Sequence, residues 1–600
     1  MFANKSFPWA IRPLVPEDVY TDRREYIDYF YKIALKAITR RSMSTVLLGQ
    51  RRMGKTEIFK RVVNKLFFEQ EEPANPDKSV VPVYFCFPDH IGDRWDFCIR
   101  YIENFIRWYA AFRLQDIRIL SSDIISLEQL PVYIQSNMKI TESFQGALNF
   151  LGFLQNKDVS IPEWDTMQIP RRVSDRDESS IVMFLDEFQN TRLPQYNFDV
   201  VGYMQESVES PTCPHFVTGS AVSILGQEIL GRGALFGRFD NEAIYPLTEY
   251  WGAELARNAA NYYRAEIAED MLAVLASRCG GNPFYITALV LQSIEQEKPI
   301  VDEDTLEDIL ALDLATGFIW GELSDQVHRW IERINEYGIS KWILYLAALE
   351  EGEKIDPEHI QQQLRHKQGS EVSLEKIRDI LVKLSRGDLL EHLDLGGWFR
   401  KLKDPILADF LRAWGRIVVE GESQVRVQNE LRQEYERLLK RIADHKGYVA
   451  EIYLAQILWS MQGKPLPAQY VHTEQDVWVP HIFSYVWNRV RLGAGPDREV
   501  DVYAGAGKEH WIAECKWQTR KKVGQSEVQA FLELAPLVLE HERGGVKILR
   551  MWFFSYSGFT PEAEQLMYDN GILWSDKQDL NALLEQAGLR CLPELESSDR

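Results

Sequence analysis

The sequence predicts an α/β protein: a parallel sheet clad in helices, then a helical lid and a winged helix, then a second α/β domain at the far end. Three observations carry this. Up to about Tyr250, apolar runs of strand length alternate with helical stretches. The first of those runs leads straight into a glycine loop, GQRRMGKT, that opens a helix. Beyond about residue 440, strands and helices begin to alternate again.

At 600 residues the chain exceeds one ordinary core and implies three or four domains. Candidate strands of the first domain are STVLLG (44–49), VVPVYFCF (80–87), SIVMFLDE (180–187), HFVTGS (215–220) and EAIYPL (242–247). Their near-continuous Val, Ile and Phe content is that of strands buried on both faces, which requires helices above and below. The stretch 112–178, ending in the polar RRVSDRDESS, reads as an irregular insertion before the third strand. The expected boundaries are a first α/β core over 1–250, a helical lid over 251–325, a winged helix over 326–417, a linker over 418–440 and a last α/β domain over 441–600.

In the lid, Gly-Gly-Asn-Pro at 280–283 stops one helix and starts the next. Three helices follow: ISKWILYLAALEE, DPEHIQQQLRH and SLEKIRDILVKLSRG. The last has Ser373 as N-cap, Leu374, Ile377, Leu381 and Leu384 on one face, and Gly387 just past its end. A hairpin turning at Gly396-Gly397 completes the winged-helix layout. The third helix mixes charges (Glu375, Lys376, Arg378, Asp379, Lys383), which favours a structural role over base reading. Residues 427–458 form a long amphipathic helix, or two, leading to the last domain.

GQRRMGKT matches G-x-x-x-x-G-K-[ST]. Gly49 and Gly54 let the backbone N–H groups turn toward a β-phosphate on the helix N-terminus; Lys55 reaches the β/γ oxygens and Thr56 offers a hydroxyl to Mg²⁺. Asp186, ending a buried strand, can hold the water shell of Mg²⁺, and Glu187 can polarise the attacking water. One further strand lies between the two motifs, as in the additional-strand, catalytic-glutamate class of P-loop ATPases. HFVTGS would be the next sheet strand; its polar end, Thr218 or Ser220, either bonds water or γ-phosphate or simply caps the strand.

DRREYIDYF, GQRRMGKT, FLDEFQN, TGS, GRF and GGNPFYI together resemble the archaeal-type ATPases of the STAND branch, relatives of AAA+ proteins, over roughly 20–415. The resemblance implies that Gly281-Asn282-Pro283 is the lid element sensing the bound nucleotide, although a helix–helix turn satisfies the same residues. It implies that Arg238 in LFGRF is an arginine offered to a phosphate in cis or from a neighbour, with a surface or helix-pairing arginine as the alternative.

In the last domain, REVDVYAGAGKEHWIAECKW places Asp501 on one strand of a hairpin and Glu514 and Lys516 on the next. Residues i and i+2 of a strand share a face, so Glu514 and Lys516 lie on one side. Converging carboxylates can hold Mg²⁺, which polarises a phosphodiester, and a neighbouring lysine can position water. Glu451 is one of few charges in the apolar GYVAEIYLAQIL. SYSGFTPEAEQLMYDNGILWSDKQDLNALLEQAG resembles the tail of Mrr-type restriction endonucleases of the PD-(D/E)XK superfamily, over about 440–590. That resemblance implies Glu451, Asp501, Glu514 and Lys516 as the catalytic set, with Val500 standing where the literal motif has proline. Arg489, Arg491, Arg520, Lys521 and Lys522 are candidate phosphate contacts, and Gln529 either faces the site or is solvated.

The net charge of −21 argues against non-specific coating of nucleic acid, but not against local contact. Six scattered cysteines without a CxxC pair point to neither a zinc site nor a disulfide framework. The start lacks the pattern of a signal peptide and no run of eighteen apolar residues exists, so the cytoplasm is the expected compartment and no membrane partner is expected. The combined expectation is an ATP- and Mg²⁺-dependent DNA endonuclease gated by nucleotide-dependent homo-oligomerisation, answering a protein trigger and defending against phage or plasmid DNA. The alternative is a regulatory or scaffolding ATPase whose nuclease-like domain binds DNA or a partner without cutting.

Overall fold

The computed structural model describes residues 9–193, 195–219, 233–334, 336–350, 352–369, 371–393, 398–428, 430–431, 445–492, 499–518, 521–542 and 545–594. These fall into two compact units that cut across the sequence boundaries. The first joins 1–246, 282–284 and 314–427, and the second joins 247–281, 285–313 and 428–600. Most of the lid therefore clusters with the C-terminal domain, apart from Asn282–Phe284 and residues 314–325.

The first unit holds five parallel strands: β1 (Thr45–Leu48), β2 (Val80–Cys86), β3 (Ser180–Asp186), β4 (His215–Thr218) and β5 (Asp240–Ala243). Their order is β2-β3-β4-β1-β5, so β4 separates the glycine-loop strand from the Asp186 strand. Every residue of β3 is buried, as its unbroken apolar run requires. Phe30, Phe59, Phe184 and Phe216 form a closed circuit of edge-to-face rings with centroids 5.2–5.4 Å apart. Such pairs contribute about 0.5–1.5 kcal/mol each beyond area burial. They fix the loop's helix, Lys55–Phe68, against β3 and β4.

Two expectations need correction here. The segment 112–178 is not irregular: after the long helix Arg94–Leu114 come helices Leu130–Asn137, Glu142–Gln155 and Pro162–Arg176. Pro131 and Pro162 occupy first-turn positions, where proline costs no hydrogen bond, and Thr141 caps by accepting from Phe144 N. The fifth strand begins two residues early, at Asp240, because Asp240 N already donates to Ser44 O, and it ends at Ala243, where its partner β1 gives way to the glycine loop after Leu48.

The winged helix has its three helices, Tyr337–Leu349, Pro357–Gln368 and Leu374–Ser385, the last capped by Ser373 accepting from Lys376 N. Its small antiparallel sheet runs β6 (Lys354–Ile355), β8 (Trp398–Arg400), β7 (Glu391–Leu393). The expected turn at Gly396-Gly397 lies outside the described residues.

In the second unit, lid helices Glu249–Tyr263 and Met271–Arg278, with most of Pro283–Glu295 and Glu303–Thr316, precede an α/β domain. That domain has a short pair, β9 (Pro465–Leu466) and β10 (Val477–Trp478), and a five-stranded sheet. The sheet orders β11 (Tyr485–Arg491), β12 (Glu499–Ala506), β13 (Glu509–Lys516), β14 (Ile548–Ser555) and β15 (Leu573–Ser575). The first two pairings are antiparallel and the last two parallel. The long helix expected over 427–458 is helical at both described ends, over 424–428 with 430–431 and over His445–Ser460. The helix expected near 525–541 is two, Gln525–Leu532 and Leu534–His541. Pro536 cannot donate to the carbonyl four residues back, which breaks the first helix there. Among the described residues, no helix is long and apolar enough to cross a membrane.

Candidate functional site

The glycine loop leaves the C-terminal end of β1 and enters the helix Lys55–Phe68 through Gly54, whose φ of +88° only glycine adopts without strain. Gly49 is equally obligatory, since a Cβ there would stand 2.2 Å from Ile244 Cγ2. Thr56, half-buried, occupies the first turn of that helix. Lys55 is buried and donates to both Gly49 O and Gln50 O at 2.6 Å. Burial lowers its pKa to about 8, against the pull of Asp388, Asp186 and Glu187.

Asp186, at the end of β3, accepts from Glu187 N through Oδ1 and from Tyr84 Oη through Oδ2, each at 2.8 Å. Glu187 adopts φ +52° and accepts from Gln189 Nε2. Burial, and then the charge of Asp186, hold its carboxyl above the usual range. A cleft of about 860 Å³ opens beside it, lined by Glu187, Arg51, Arg52, His90, Glu322 and Arg329 among others. Thr56 and Asp186 are a hydroxyl and a carboxylate suited to Mg²⁺, a cation that takes few protein ligands and keeps water.

Several participants here were invisible in sequence. Arg52, in the left-handed region at φ +64°, donates to Glu322 Oε1 (2.8 Å), Glu322 O and Gln326 Oε1, and its guanidinium lies 5.2 Å from the Phe284 ring centroid. Gln326 in turn donates to Gly387 O at 3.0 Å, next to Asp388 of the winged helix. Arg51 is pushed down to about 10 by burial, with Asp388 opposing. Arg51 and Arg52 occupy wildcard positions of the loop motif, so only their charge could have signalled them.

The remaining nucleotide-site expectations divide. Ser220 lies outside the described residues. Thr218 gives its hydroxyl to Leu47 O at 3.1 Å, the strand-capping alternative. Pro283 opens its helix, and Asn282 Oδ1 accepts from Phe284 N at 3.0 Å, a local turn cap. Arg238 corrects the expectation of a cis phosphate ligand. It pairs with Glu209 at 2.8 Å and just precedes Asp240, which pairs with Thr45 at the N-terminal end of β1. The glycine loop leaves from the opposite end of the same strand, so a phosphate contact from Arg238 is open only toward a neighbouring molecule.

In the C-terminal domain, register does the positioning. Val502 pairs with Ala513, so Asp501 stands across from Glu514. Asn488 pairs with Val502 and Val490 with Val500, which leaves Arg489 across from Asp501 on the other side. Arg489, Asp501 and Glu514 thus form one row over three strands. Asp501 Oδ2 accepts from Cys515 N at 2.7 Å, and Glu514 Oε1 lies 2.5 Å from Lys516 Nζ. Burial, then Glu514 and Glu451, hold Asp501 well above the usual carboxylate range. Burial would lower Lys516, but Glu514 and Asp501 outweigh it and keep the ammonium charged.

Glu451 is buried on the helix His445–Ser460 and gives both oxygens to Arg489, at 2.9 and 3.1 Å. The Asp501–Glu514 pair suits Mg²⁺, which commonly takes one or two carboxylates. Among the described residues no group of three or more His, Cys, Asp or Glu is arranged to hold a metal, and the third expected carboxylate is paired with a guanidinium. Of the other basic candidates, Arg491 pairs with Glu499 and Lys521 with Glu527, while Arg520 lies outside the described residues. Lys522 and Gln529 are exposed.

No family model matches the chain, and no curated protein does. Among solved structures it is similar to the Walker-type ATPase paby2304 of Pyrococcus abyssi, at 17% identity over 67% of this chain and 99% of that one, with a TM-score of 0.43. It is similar to the Aeropyrum pernix ORC1 protein in complex with DNA (11% identity, 68% and 97% covered, TM-score 0.35). The Aeropyrum pernix ORC2 protein in its ADPNP–ADP complexes matches at 13% identity, 71% and 98% coverage and a TM-score of 0.37. At these scores the likeness carries no argument about residues or activity, and the reading rests on the chemistry of this chain.

Proposed function

We propose that this chain is an ATP-regulated, Mg²⁺-dependent DNA endonuclease, with the glycine-loop unit as its switch. The observation that carries the reading is the placement of one helix, His445–Ser460. It packs on β11, β12 and β13, where it carries Glu451. It also packs on the lid helices Glu249–Tyr263 and Met271–Arg278. Thr248 Oγ1 donates to Gln456 Oε1 at 2.8 Å, and Tyr250 meets Tyr453 edge-on at 5.0 Å. Arg590 N donates to Tyr250 Oη, tying in the chain's far end. The lid and the candidate cutting site therefore share a structural member, and a lid displaced by nucleotide carries that helix with it.

At the nucleotide site, ATP draws Lys55 off the carbonyls of Gly49 and Gln50 to the β/γ oxygens, and Glu187 polarises water for hydrolysis. Mg²⁺, when bound by Thr56 and Asp186, neutralises phosphate charge. At the second site Asp501 and Glu514 would hold a cation, which when bound would supply polarisation of the phosphodiester, and Lys516 would position the attacking water. Defence against invading DNA and nucleotide-dependent self-assembly belong to the same reading. They follow from the STAND and Mrr resemblances.

A second reading, a nuclease-like domain that binds DNA without cutting, draws on the pairing of Glu451 with Arg489. Plasmid offered with Mg²⁺, with and without ATP, separates the two. Cleavage by wild type that Asp501→Ala and Lys516→Ala abolish supports the nuclease. No cleavage under any nucleotide, or equal cleavage by Asp501→Ala, removes it.

A further inference from the structure

Arg489 is a strained residue in a strand. Its φ of +54° is left-handed, a conformation that strains a non-glycine residue and is found preferentially at functional sites. The turn carries its guanidinium onto Glu451 from the helix, in a bidentate pair, with the Tyr448 ring centroid 4.6 Å away. The two partners differ in access: the Arg489 side chain is 26% exposed and that of Glu451 only 5%. An incoming ligand meets the arginine first.

The ligand chemistry follows from the guanidinium. Its planar fork matches a phosphate as well as a carboxylate, bidentately in both cases. Arg489 also stands across from Asp501, in the row that a scissile phosphodiester must approach. Glu451 adds its charge to the repulsion felt by Asp501, so it lies within electrostatic reach of the Asp501–Glu514 pair while bonded elsewhere.

We propose that Arg489 is an exchange latch, a positioning residue that withholds Glu451 from the cation until DNA arrives. A backbone phosphate takes the guanidinium, Glu451 is released toward Asp501 and Glu514, and cation and DNA then bind cooperatively. By linkage, each tightens the other by the same factor. The proposal rests on the nuclease reading and deepens it. A supporting partner of a metal ligand has the opposite sign, since its removal weakens metal binding about 10–100-fold.

The test is Mn²⁺ binding to the full-length, nucleotide-free protein, followed by electron paramagnetic resonance, with and without a cleavage-resistant phosphorothioate duplex. Without DNA, Arg489→Met binds Mn²⁺ about tenfold more tightly than wild type, the low end for a residue touching a metal ligand. Arg489→Lys, which keeps the charge and loses the fork, falls between. The duplex tightens Mn²⁺ binding in wild type and not in Arg489→Met. Asp501→Ala separates the two levels of inference. If it leaves Mn²⁺ binding unchanged, the nuclease reading itself fails. If it abolishes binding while both Arg489 variants bind at or below wild-type affinity, the latch alone is overturned.

Discussion

Lys55 donates its ammonium to the carbonyl oxygen of Gly49 at 2.6 Å, closing the glycine loop on its own lysine. Without phosphates this is the best partner in reach, and burial still lowers the lysine to about 8 from an ordinary 10.5. The sign follows. Between about 8 and 10.5 the unfolded chain binds the extra proton, so the nucleotide-free protein gains stability from this residue as pH rises through that window. A bound triphosphate favours the charged form instead. ATP binding at pH 9 should therefore take up close to one proton, and at pH 7 only a small fraction of one. Calorimetry in buffers of different ionisation enthalpy measures this, and Lys55→Met should abolish the uptake. Equal uptake at both pH values would count against the assignment.

Asp388 is the carboxylate that acts most strongly on Lys55, and it comes from the winged helix. An anion facing the place of the phosphates opposes their entry while supporting the empty loop. Asp388→Asn should tighten ATP binding about fivefold, the low end of common coupling energies. Fluorescence titration with a labelled ATP checks it. Weaker binding would mean that Asp388 only supports the fold.

Tyr448 links the lid to the second site. Its ring centroid lies 4.6 Å from the Arg489 guanidinium, on the helix that also packs on the lid helices Glu249–Tyr263 and Met271–Arg278. Tyr448→Leu keeps an apolar side chain and loses the ring's contact with the guanidinium, at a cost of about 0.5–2 kcal/mol. The expected result is unchanged ATP turnover with a reduced effect of ATP on DNA cleavage. A variant whose cleavage responds to ATP as wild type does would remove this route from the account.

Much of the fold was legible because burial and stereochemistry leave few choices. A strand covered on both faces, such as β3, must be apolar throughout, and a loop that needs Gly49 and Gly54 advertises itself. The helices between residues 130 and 176 were hidden by prolines that mark helix starts and by a polar last turn. The contacts of Arg52 with Glu322 and of Glu451 with Arg489 join residues far apart in the chain, and no local pattern encodes them. The same holds for the lid. Its helices could be read individually, but their clustering with the C-terminal α/β domain depends on tertiary contacts such as Tyr250 with Tyr453. Arg238 shows the converse case, a suggestive motif whose choice between a phosphate in the same molecule and one in a neighbour depends on strand direction, which no local pattern encodes.

The central claim is that nucleotide at Lys55 governs cutting at Asp501. The most direct measurement is the rate of supercoiled plasmid loss in Mg²⁺ buffer, with and without ATP, for wild type and Lys55→Ala, with Asp501→Ala as the blank. The expected result is a rate that changes at least about tenfold with ATP in wild type, a coupling of about 1.4 kcal/mol, and not at all in Lys55→Ala. Cleavage that depends on Asp501 yet runs at the same rate with and without ATP in wild type would contradict the claim.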